Sequence, residues 1–507
     1  MNFLELLHGM EPLSQSGNPD ITELEYDSRR IRPGNVFVAM RGESSDGNKF
    51  IDKAIASGAV AIVTDSTEEK PRGEVAWAQA KHGRQALALL SANFYGHPAD
   101  RLVITGITGT NGKSTTAFIL ESILEAAGRK SVLIGTIEYH VAGKILPAPH
   151  TTPESLELNR ILAKAVADGA TEAVMEVSSH ALEQQRVYAI PFEVAVFTNL
   201  TRDHLDYHKT MEGYFAAKQI LFQGSGTEPP RVAVLNADDE YAQRLTKRSR
   251  QFSRQTLIYG MTQGDFRTEK LEITPQGTKF DLITPDGLIP VSSRLIGKVN
   301  VYNLLAAAGA AYGRDCKLEA IANGISKLSH VPGRFERVEC NQPFTVVVDY
   351  AHTDDALRNL TTLAREFVEQ AGQSGRVITV FGCGGDRDRA KRPLMGEAAG
   401  RGSDFVVLTS DNPRSEDPVA IMNDAVVGLQ RSGTKYKMEP DRKAAIAMAI
   451  REAKPSDIVL VAGKGHEKTQ TNREGAIPFD DVQVAREVLK DIGYDCHAGD
   501  AAAGKNQ

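Results

Sequence analysis

Apolar residues along this chain gather in short unbroken runs, and between the runs they recur at helical spacing. Asn35-Val36-Phe37-Val38-Ala39-Met40 follows a Pro33-Gly34 turn and predicts a strand. Ala59-Val60-Ala61-Ile62-Val63 predicts another after an intervening helix. Beyond residue 99 the alternation becomes regular, with strands predicted at 102–104, 173–177, 194–197 and 232–235. A later series falls at 345–348, 377–381, 405–408 and 458–461. Strands alternating with helices predict an α/β fold with mostly parallel sheets. Such sheets bind ligands outside the carboxyl ends of their strands, so the turns there are where chemistry is expected. Tyr95-Gly96-His97-Pro98 reads as a linker and Pro332-Gly333 as a second break. With 507 residues, about three domains are expected. They would span 1–98, 99–333 and 334–497, before an Ala/Gly/Lys-rich tail at 498–507 expected to be disordered.

Hydrophobic content of 41% and charged content of 24% are those of an ordinary globular protein. A net charge of −6 on this length gives no reason to expect nucleic acid or a membrane surface as partner. Cys316, Cys340, Cys383 and Cys496 lie far apart without metal-ligand spacing, so buried or incidental thiols in a reducing compartment are expected. The first ten residues lack a basic start and a long apolar core, and no apolar run reaches the length of a membrane span. A cytoplasmic chain is expected.

The densest chemistry lies at Gly106-Ile107-Thr108-Gly109-Thr110-Asn111-Gly112-Lys113-Ser114-Thr115, between a strand and a helix. A glycine-rich turn there aims backbone N–H groups and a helix N-terminus at an anion. Lys113 adds a cation for phosphate, and Ser114 or Thr115 a hydroxyl for Mg²⁺. The spacing departs from the usual phosphate loop, since Ile107 stands where glycine is expected. Glu176 closes one strand before Val177-Ser178-Ser179-His180, and another leads to Asp203-His204-Leu205-Asp206-Tyr207-His208. These groups could be Mg²⁺ ligands or helix caps; their joint placement favours the metal. Lys218 reads, on composition alone, as a surface lysine. Asn300 and Asn303 could contact an adenine edge or cap a helix. Arg334 could reach phosphate across a cleft. Two further turns are basic or polar: Gly382-Cys383-Gly384-Gly385-Asp386-Arg387-Asp388-Arg389-Ala390-Lys391-Arg392-Pro393 and Asp411-Asn412-Pro413-Arg414. A third, Gly463-Lys464-Gly465-His466-Glu467, offers a carboxylate for an ammonium. Arginines with a carboxylate describe an amino-acid pocket.

Together with Pro332-Gly333-Arg334-Phe335-Glu336 and Asp349-Tyr350-Ala351-His352, these motifs resemble the Mur ligases, ATP-dependent amino-acid-adding enzymes of peptidoglycan precursor synthesis. The resemblance runs from Asp27-Ser28-Arg29 to Phe479-Asp480-Asp481. The irregular phosphate loop is typical of that family. The resemblance implies a small N-terminal α/β UDP-binding domain, a central P-loop-like ATPase domain with a parallel sheet, and a C-terminal Rossmann-like domain. Asp411-Asn412-Pro413-Arg414 is most similar to members that add meso-diaminopimelate to UDP-N-acetylmuramoyl-L-alanyl-D-glutamate. Lysine has no distal carboxylate for such an arginine, and a site built around that pair disfavours it.

The resemblance implies roles by position. Gly109, Thr110, Asn111, Gly112, Lys113, Ser114 and Thr115 would cradle ATP, joined by Asn303, Arg334 and Asp349. Ser28, Thr151, Thr152, Ser178, Gln184 and Arg186 would bind the UDP-muramoyl-dipeptide. Ser114, Glu176 and His204 would hold Mg²⁺ with Lys218, the family lysine that forms a carbamate with CO₂. Arg387, Asp411, Asn412, Pro413, Arg414, Gly463 and Glu467 would bind diaminopimelate. Lys113, Lys218, Glu176, His204 and Arg334 would be catalytic, and the third domain would close over the second. A monomer without nucleic-acid partner or membrane insertion is expected. Three positions depart from the pattern: Asn48 for a frequent histidine, His150 before Thr151, and Asp354 for the proline of Thr-Pro-Asp. Competing readings are a lysine-adding or dipeptide-adding relative, folylpolyglutamate synthase, or a nucleotide-regulated scaffold on this fold.

Overall fold

The computed structural model describes residues 1–42, 45–67, 75–370 and 375–496, with the side chains at 249–252 left aside. The tail at 498–507 lies outside the described residues. The predicted strands form, because unbroken Val/Ile/Ala runs can be buried on both faces only in a sheet covered on both sides. Val232–Asn236 and Ile458–Ala462, for example, are buried throughout.

A first sheet orders Ser14–Ser16, Ala76–Gln79, Ala61–Thr64, Asn35–Ala39 and Glu23–Glu25, parallel except at its first pair. A second, eight-stranded sheet orders Gln255–Tyr259, Val232–Asn236, Phe192–Phe197, Val103–Thr108, Glu172–Glu176, Ser131–Ile134, Glu138–Val141 and Lys144–Pro147. Its first six strands are parallel and the last two form an antiparallel hairpin. Val103–Thr108 therefore lies inside the sheet, and its carboxyl end carries the glycine turn into the helix Lys113–Ala126. The third large sheet orders Glu336–Arg337, Thr345–Asp349, Ile458–Ala462, Val377–Cys383, Phe405–Ser410 and Lys435–Glu439. The carboxyl ends of its parallel strands lead into the basic and glycine-rich turns. A three-stranded antiparallel sheet, Arg267–Thr274, Gly277–Thr284 and Gly287–Ser293, was not predicted. Its first strand, Arg-Thr-Glu-Lys-Leu-Glu-Ile-Thr, carries too few apolar residues to stand out.

The expectation of four thiols is corrected. Cys316 and Cys383 are free and buried, but Cys340 and Cys496 form a disulfide. The segment after the last helix, Asp481–Asp491, returns to the sheet, and Tyr494 packs edge-on against Phe344 beside the bond. A buried ion pair, Arg442 with Asp481, ties that helix to the sheet. Arg442 also donates to the Ser410 and Ala462 carbonyls, at the ends of two strands that lead into the polar turns. Asn48 is buried between Asp46, Asp65 and Thr64, with hydrogen bonds of 2.7–2.8 Å. It thus serves as an internal tie in the first sheet's loops.

His140, on the hairpin, lies between Glu121 of the helix Lys113–Ala126 (2.7 Å) and Glu138 (3.0 Å). Burial alone would lower its pKa, but the two carboxylates raise it to about 9. The folded state therefore holds this proton more tightly than the unfolded chain, whose histidine titrates near ~6.5. The resulting stabilisation is complete below about pH 6.5 and is lost as pH rises through about 9. The gap in thermal midpoint between the native chain and His140→Gln is expected to be wide at pH 6 and to shrink at pH 9.5. An equal gap at both pH values would contradict the assignment.

Candidate active site

The turn after Val103–Thr108 is built around close approach. Gly112 adopts φ 87°, and any side chain there would collide with the Asn303 amide. Gly112 offers the helix Lys113–Ala126 no side-chain cap, so the first helical N–H groups are available to an anion. Lys113 Nζ donates to the Gly109 (3.0 Å) and Thr110 (2.9 Å) carbonyls. Lys218 Nζ donates to the same Gly109 carbonyl at 2.9 Å. Two ammonium groups thus share one backbone oxygen. Burial pushes both pKa values down, Lys218 well down, and the Lys113 charge pushes Lys218 further.

Lys218 is 1% exposed, so the surface reading from composition is wrong. Tyr214, Lys218, Leu221 and Phe222 share the buried stripe of the helix Met211–Gln223, and Lys218 Nζ lies 4.6 Å from the Tyr214 ring centre. That stripe at i, i+4, i+7 was the signal in the sequence. Around the turn, Thr110 Oγ1 donates to the Thr201 carbonyl, and the Asn111 N–H donates to Asn199 Oδ1. Ser114 and Thr115 are buried in the first turn of the helix.

Glu176 ends its strand 1% exposed, its carboxylate accepting from Thr136 N (2.7 Å) and Oγ1 (2.9 Å). His204 adopts φ 54° at the start of the helix Leu205–His208, with its ring 4.9 Å from His180. Burial pushes its imidazole down to about 3, leaving the ring neutral. Among the described residues no three His, Cys, Asp or Glu side chains gather as a metal cage. The capping alternative holds for Ser178, whose hydroxyl accepts from Ala181 N (3.1 Å), but not for His204.

Five residues expected at the nucleotide-sugar peptide form one cluster beside Glu176. Thr151 Oγ1 lies 3.0 Å from Thr136 Oγ1. Thr152 Oγ1 donates to the Glu176 carbonyl and accepts from Ser178 N. Arg186 donates to the Thr152 carbonyl and to Gln184 Oε1, and pairs with Glu154. Ser28 is buried in the first domain, which meets the second through Tyr26–Glu157 and Arg84–Glu154. His150 is exposed, and its backbone carbonyl accepts from the Tyr139 hydroxyl.

The third sheet's turns dock against this surface. Arg334 donates to Ser114 Oγ (3.3 Å) and lies over the Tyr350 ring. Asp349 accepts from Phe335 N and Ala351 N, tying the start of the third domain to the turn after its strand Thr345–Asp349. Asp355 accepts from Asn111 Nδ2 (3.1 Å), and Lys391 pairs with Asp203 (3.2 Å). Asn303 Nδ2 donates to Asn300 Oδ1, and Asn300 Nδ2 to the Ile296 carbonyl, so neither caps the helix, which starts after Gly297.

The amino-acid turns converge, with one correction. Of four basic residues in the 382–393 turn, three are committed elsewhere: Arg392 to Glu416 and Asp424, Arg389 to Asp424, and Lys391 to Asp203. Arg387 and Arg414 flank Gly384, where a Cβ would stand 3.7 Å from Arg387 Cγ and 3.1 Å from Arg414 Nη1. Arg414 Nη1 donates to the Gly385 carbonyl, and the Pro413 carbonyl packs against Gly385. Burial lowers the Arg414 pKa, and the Arg387 charge lowers it further. Asp411 lies against Gly463, and Asn412 Nδ2 donates to Glu467 Oε2 at 2.9 Å. Lys464, fully buried, donates to Glu467 (2.7 Å) and Asn412 (3.1 Å). Sequence reasoning gave no role to Lys464, Thr136 or Tyr350. Only a lysine between two glycines at a strand end hinted at the first.

This layout has known counterparts. Residues 20–95 match the Mur ligase family, catalytic domain; 107–311 the Mur ligase middle domain; and 333–465 the Mur ligase, glutamate ligase domain. A UDP-N-acetylmuramoyl-L-alanyl-D-glutamate–2,6-diaminopimelate ligase of Solibacter usitatus is 53% identical, covering 97% of this chain and 99% of its own. The ligase of the same name from Geobacillus thermodenitrificans is 45% identical over 94% and 96%. A solved structure of a ligase so named is 35% identical, covers 97% and 99%, and superposes with a TM-score of 0.66. The MurF ligase from Thermotoga maritima in complex with ADP shares the fold at 20% identity, a TM-score of 0.64 and coverage of 92% and 97%. With all three domain types in series and full-length relatives at this identity, the chain belongs to the Mur ligase family.

Proposed function

We infer that the chain joins meso-2,6-diaminopimelate to UDP-N-acetylmuramoyl-L-alanyl-D-glutamate in an ATP-dependent, ADP-forming ligation of peptidoglycan precursor synthesis. The observation that carries the choice of amino acid is the meeting of Arg387 and Arg414 at Gly384, near a second cluster holding Glu467. The Arg387 charge is felt at Arg414, where it lowers the pKa, and a second carboxylate on the amino acid would relieve that repulsion. The relatives named for this reaction support it.

In this reading residues 1–98 bind the UDP end, 99–333 bind ATP, and 334–497 bind the amino acid. Ser28, Thr151, Thr152, Ser178, Gln184 and Arg186 hold the dipeptide substrate so that its D-glutamate carboxylate lies toward Glu176. Gly109 to Thr115, Asn303, Arg334 and Asp349 hold ATP. Asp411, Asn412, Pro413, Gly463 and Glu467 complete the diaminopimelate pocket with the two arginines. Glu176, neutral His204, Ser114 and a carbamylated Lys218 would hold Mg²⁺, with phosphate and water oxygens as its further ligands. Mg²⁺ there would neutralise charge developing on phosphoryl oxygens. Lys218 suits the carbamate because burial beside Lys113 favours its neutral amine. Its nitrogen lone pair adds to the carbon of CO₂, and one proton leaves.

The D-glutamate carboxylate oxygen attacks the γ-phosphorus of ATP, and ADP leaves from an acyl phosphate. Lys113 and Arg334 offset charge on the phosphoryl group. The neutral amine of diaminopimelate then adds to the acyl carbon, loses a proton, and the tetrahedral intermediate expels phosphate. Positioning dominates, because amine and acyl phosphate must meet as a near-attack pair. The domain contacts at Asp203–Lys391 and Asn111–Asp355 support a closed arrangement for this step. No helix among the described residues is long and apolar enough to cross a membrane. The reading places a monomer in the bacterial cytoplasm, where ATP and UDP-linked precursors are at hand.

ADP release with the UDP-dipeptide is expected with meso-diaminopimelate, and at most weakly with L-lysine or D-Ala-D-Ala; equal rates with L-lysine would defeat the assignment. Arg414→Ala should lower kcat/KM for diaminopimelate by roughly 10- to 100-fold, the loss of a charge-assisted pair. Wild-type efficiency in that variant would remove the argument from the second carboxylate. Lys218→Ala is expected to abolish turnover, with partial recovery on adding short carboxylates. Undiminished activity would rule out the carbamate.

A further inference from the structure

The turn 463–467 carries one buried charge with no role so far. Its backbone takes that side chain out of water. Gly463 adopts φ 118° and Gly465 φ 52°. A Cβ on the first would stand 2.7 Å from Asp411 Oδ2, and on the second 2.7 Å from the Gly333 carbonyl oxygen. Lys464 lies between these two glycines. The Glu467 N–H donates to the Lys464 carbonyl at 2.9 Å, which closes the turn, and the two side chains meet as an ion pair. The Lys464 side chain is 0% exposed and that of Glu467 30%.

The bonds within this group are directional. Glu467 Oε2 accepts from Lys464 Nζ (2.7 Å) and from Asn412 Nδ2 (2.9 Å). Asn412 Oδ1 accepts from Lys464 Nζ (3.1 Å) and from Thr471 N (2.8 Å), which fixes the amide with its nitrogen toward Glu467. The strand Thr469–Asn472 braces the arrangement: Gln470 Nε2 donates to the Asp411 carbonyl, and the Arg414 N–H to the Thr471 carbonyl. A carboxylate oxygen has about two lone pairs, and those of Oε2 are both used. Glu467 Oε1 accepts no hydrogen bond among the described residues. An apolar side chain would fill the space of Lys464 without the cost of desolvating an ammonium. What the lysine adds is its hold on one oxygen of Glu467.

We propose that Lys464 is a positioning residue for the amino acid: with Asn412 it saturates one oxygen of Glu467 and leaves the other, in a fixed orientation, for an ammonium group of diaminopimelate. The proposal rests on the reading of Glu467 as part of the diaminopimelate pocket. A carboxylate with one open oxygen suits the point charge of an ammonium, whereas a guanidinium fork wants both oxygens. Lys464 therefore sets which cationic group the pocket takes while remaining out of reach of the substrate.

The test is steady-state ADP release by the full chain, with KM measured for each of the three substrates in turn. Lys464→Met should raise KM for diaminopimelate roughly 10- to 100-fold, the loss of a well-aligned charge-assisted contact, and leave KM for ATP and for the UDP-dipeptide within about twofold. Lys464→Gln removes the charge in a different shape and should act in the same direction, so either variant that keeps its thermal midpoint suffices. The second arm is a double-mutant cycle. Glu467→Gln should itself raise KM for diaminopimelate, and adding Lys464→Met to it should raise KM by no more than about twofold further, because the lysine acts through that carboxylate. A full additional rise in the Glu467→Gln background, an unchanged KM in Lys464→Met, an equal rise for all three substrates, or unfolding of both lysine variants would overturn the proposal alone. An unchanged KM in Glu467→Gln would overturn the pocket assignment of Glu467 and this proposal with it.

Discussion

One backbone oxygen organises the centre of this molecule. The Gly109 carbonyl accepts from Lys113 and Lys218 together, with Lys218 buried and Lys113 half-buried. Two desolvated like charges are costly, and only groups of opposite charge, or loss of a proton, relieve them. Everything around the turn answers that demand. The loop leaves helix N–H groups uncapped toward an anion, Glu176 and Asp203 lie close enough to act on Lys113, and Lys218 is biased toward its neutral form. The turn is thus a cluster of cations and uncapped N–H groups that suits an anion.

The third domain follows a similar logic with a different support. Arg442 and Asp481 are buried together, and Arg442 also ties down carbonyls at the ends of two strands. Desolvation offsets much of the attraction in a buried pair of this kind, and what it does here is hold Arg442 against the two strand-end carbonyls. Here it holds the roots of the turns that carry Asp411, Asn412, Gly463 and Glu467. Asn412, Lys464 and Glu467 then form a closed hydrogen-bonded group. Arg387, by contrast, is exposed.

The parallel strands were legible because sheets covered on both faces need continuous apolar runs, as at Val232–Asn236 and Ile458–Ala462. The sheet from Arg267 to Ser293 was not, since its first strand has only Leu271 and Ile273 as apolar residues and no buried position. Strand-end glycine turns marked the candidate site for the same topological reason. Partners across the seam carried no local signal: Asn111 and Asp355 are 244 residues apart, and nothing near either one names the other. Composition alone placed Lys218 at the surface, because a lysine's prior is exposure, whereas its stripe with Tyr214, Leu221 and Phe222 points inward. Asn48 departs from the family pattern, yet its amide is spent on Asp46, Asp65 and Thr64.

The place of Val103–Thr108 inside its sheet has a consequence for how the chain is made. Its two neighbours, Glu172–Glu176 and Phe192–Phe197, come later in the sequence. A ribosome therefore delivers the phosphate turn well before the strands that flank it. Until residue 197 has emerged, the turn has no sheet on both sides and Thr198 and Asn199 are not there to bond it. The phosphate turn is thus made well before the strands and the loop that hold it in place.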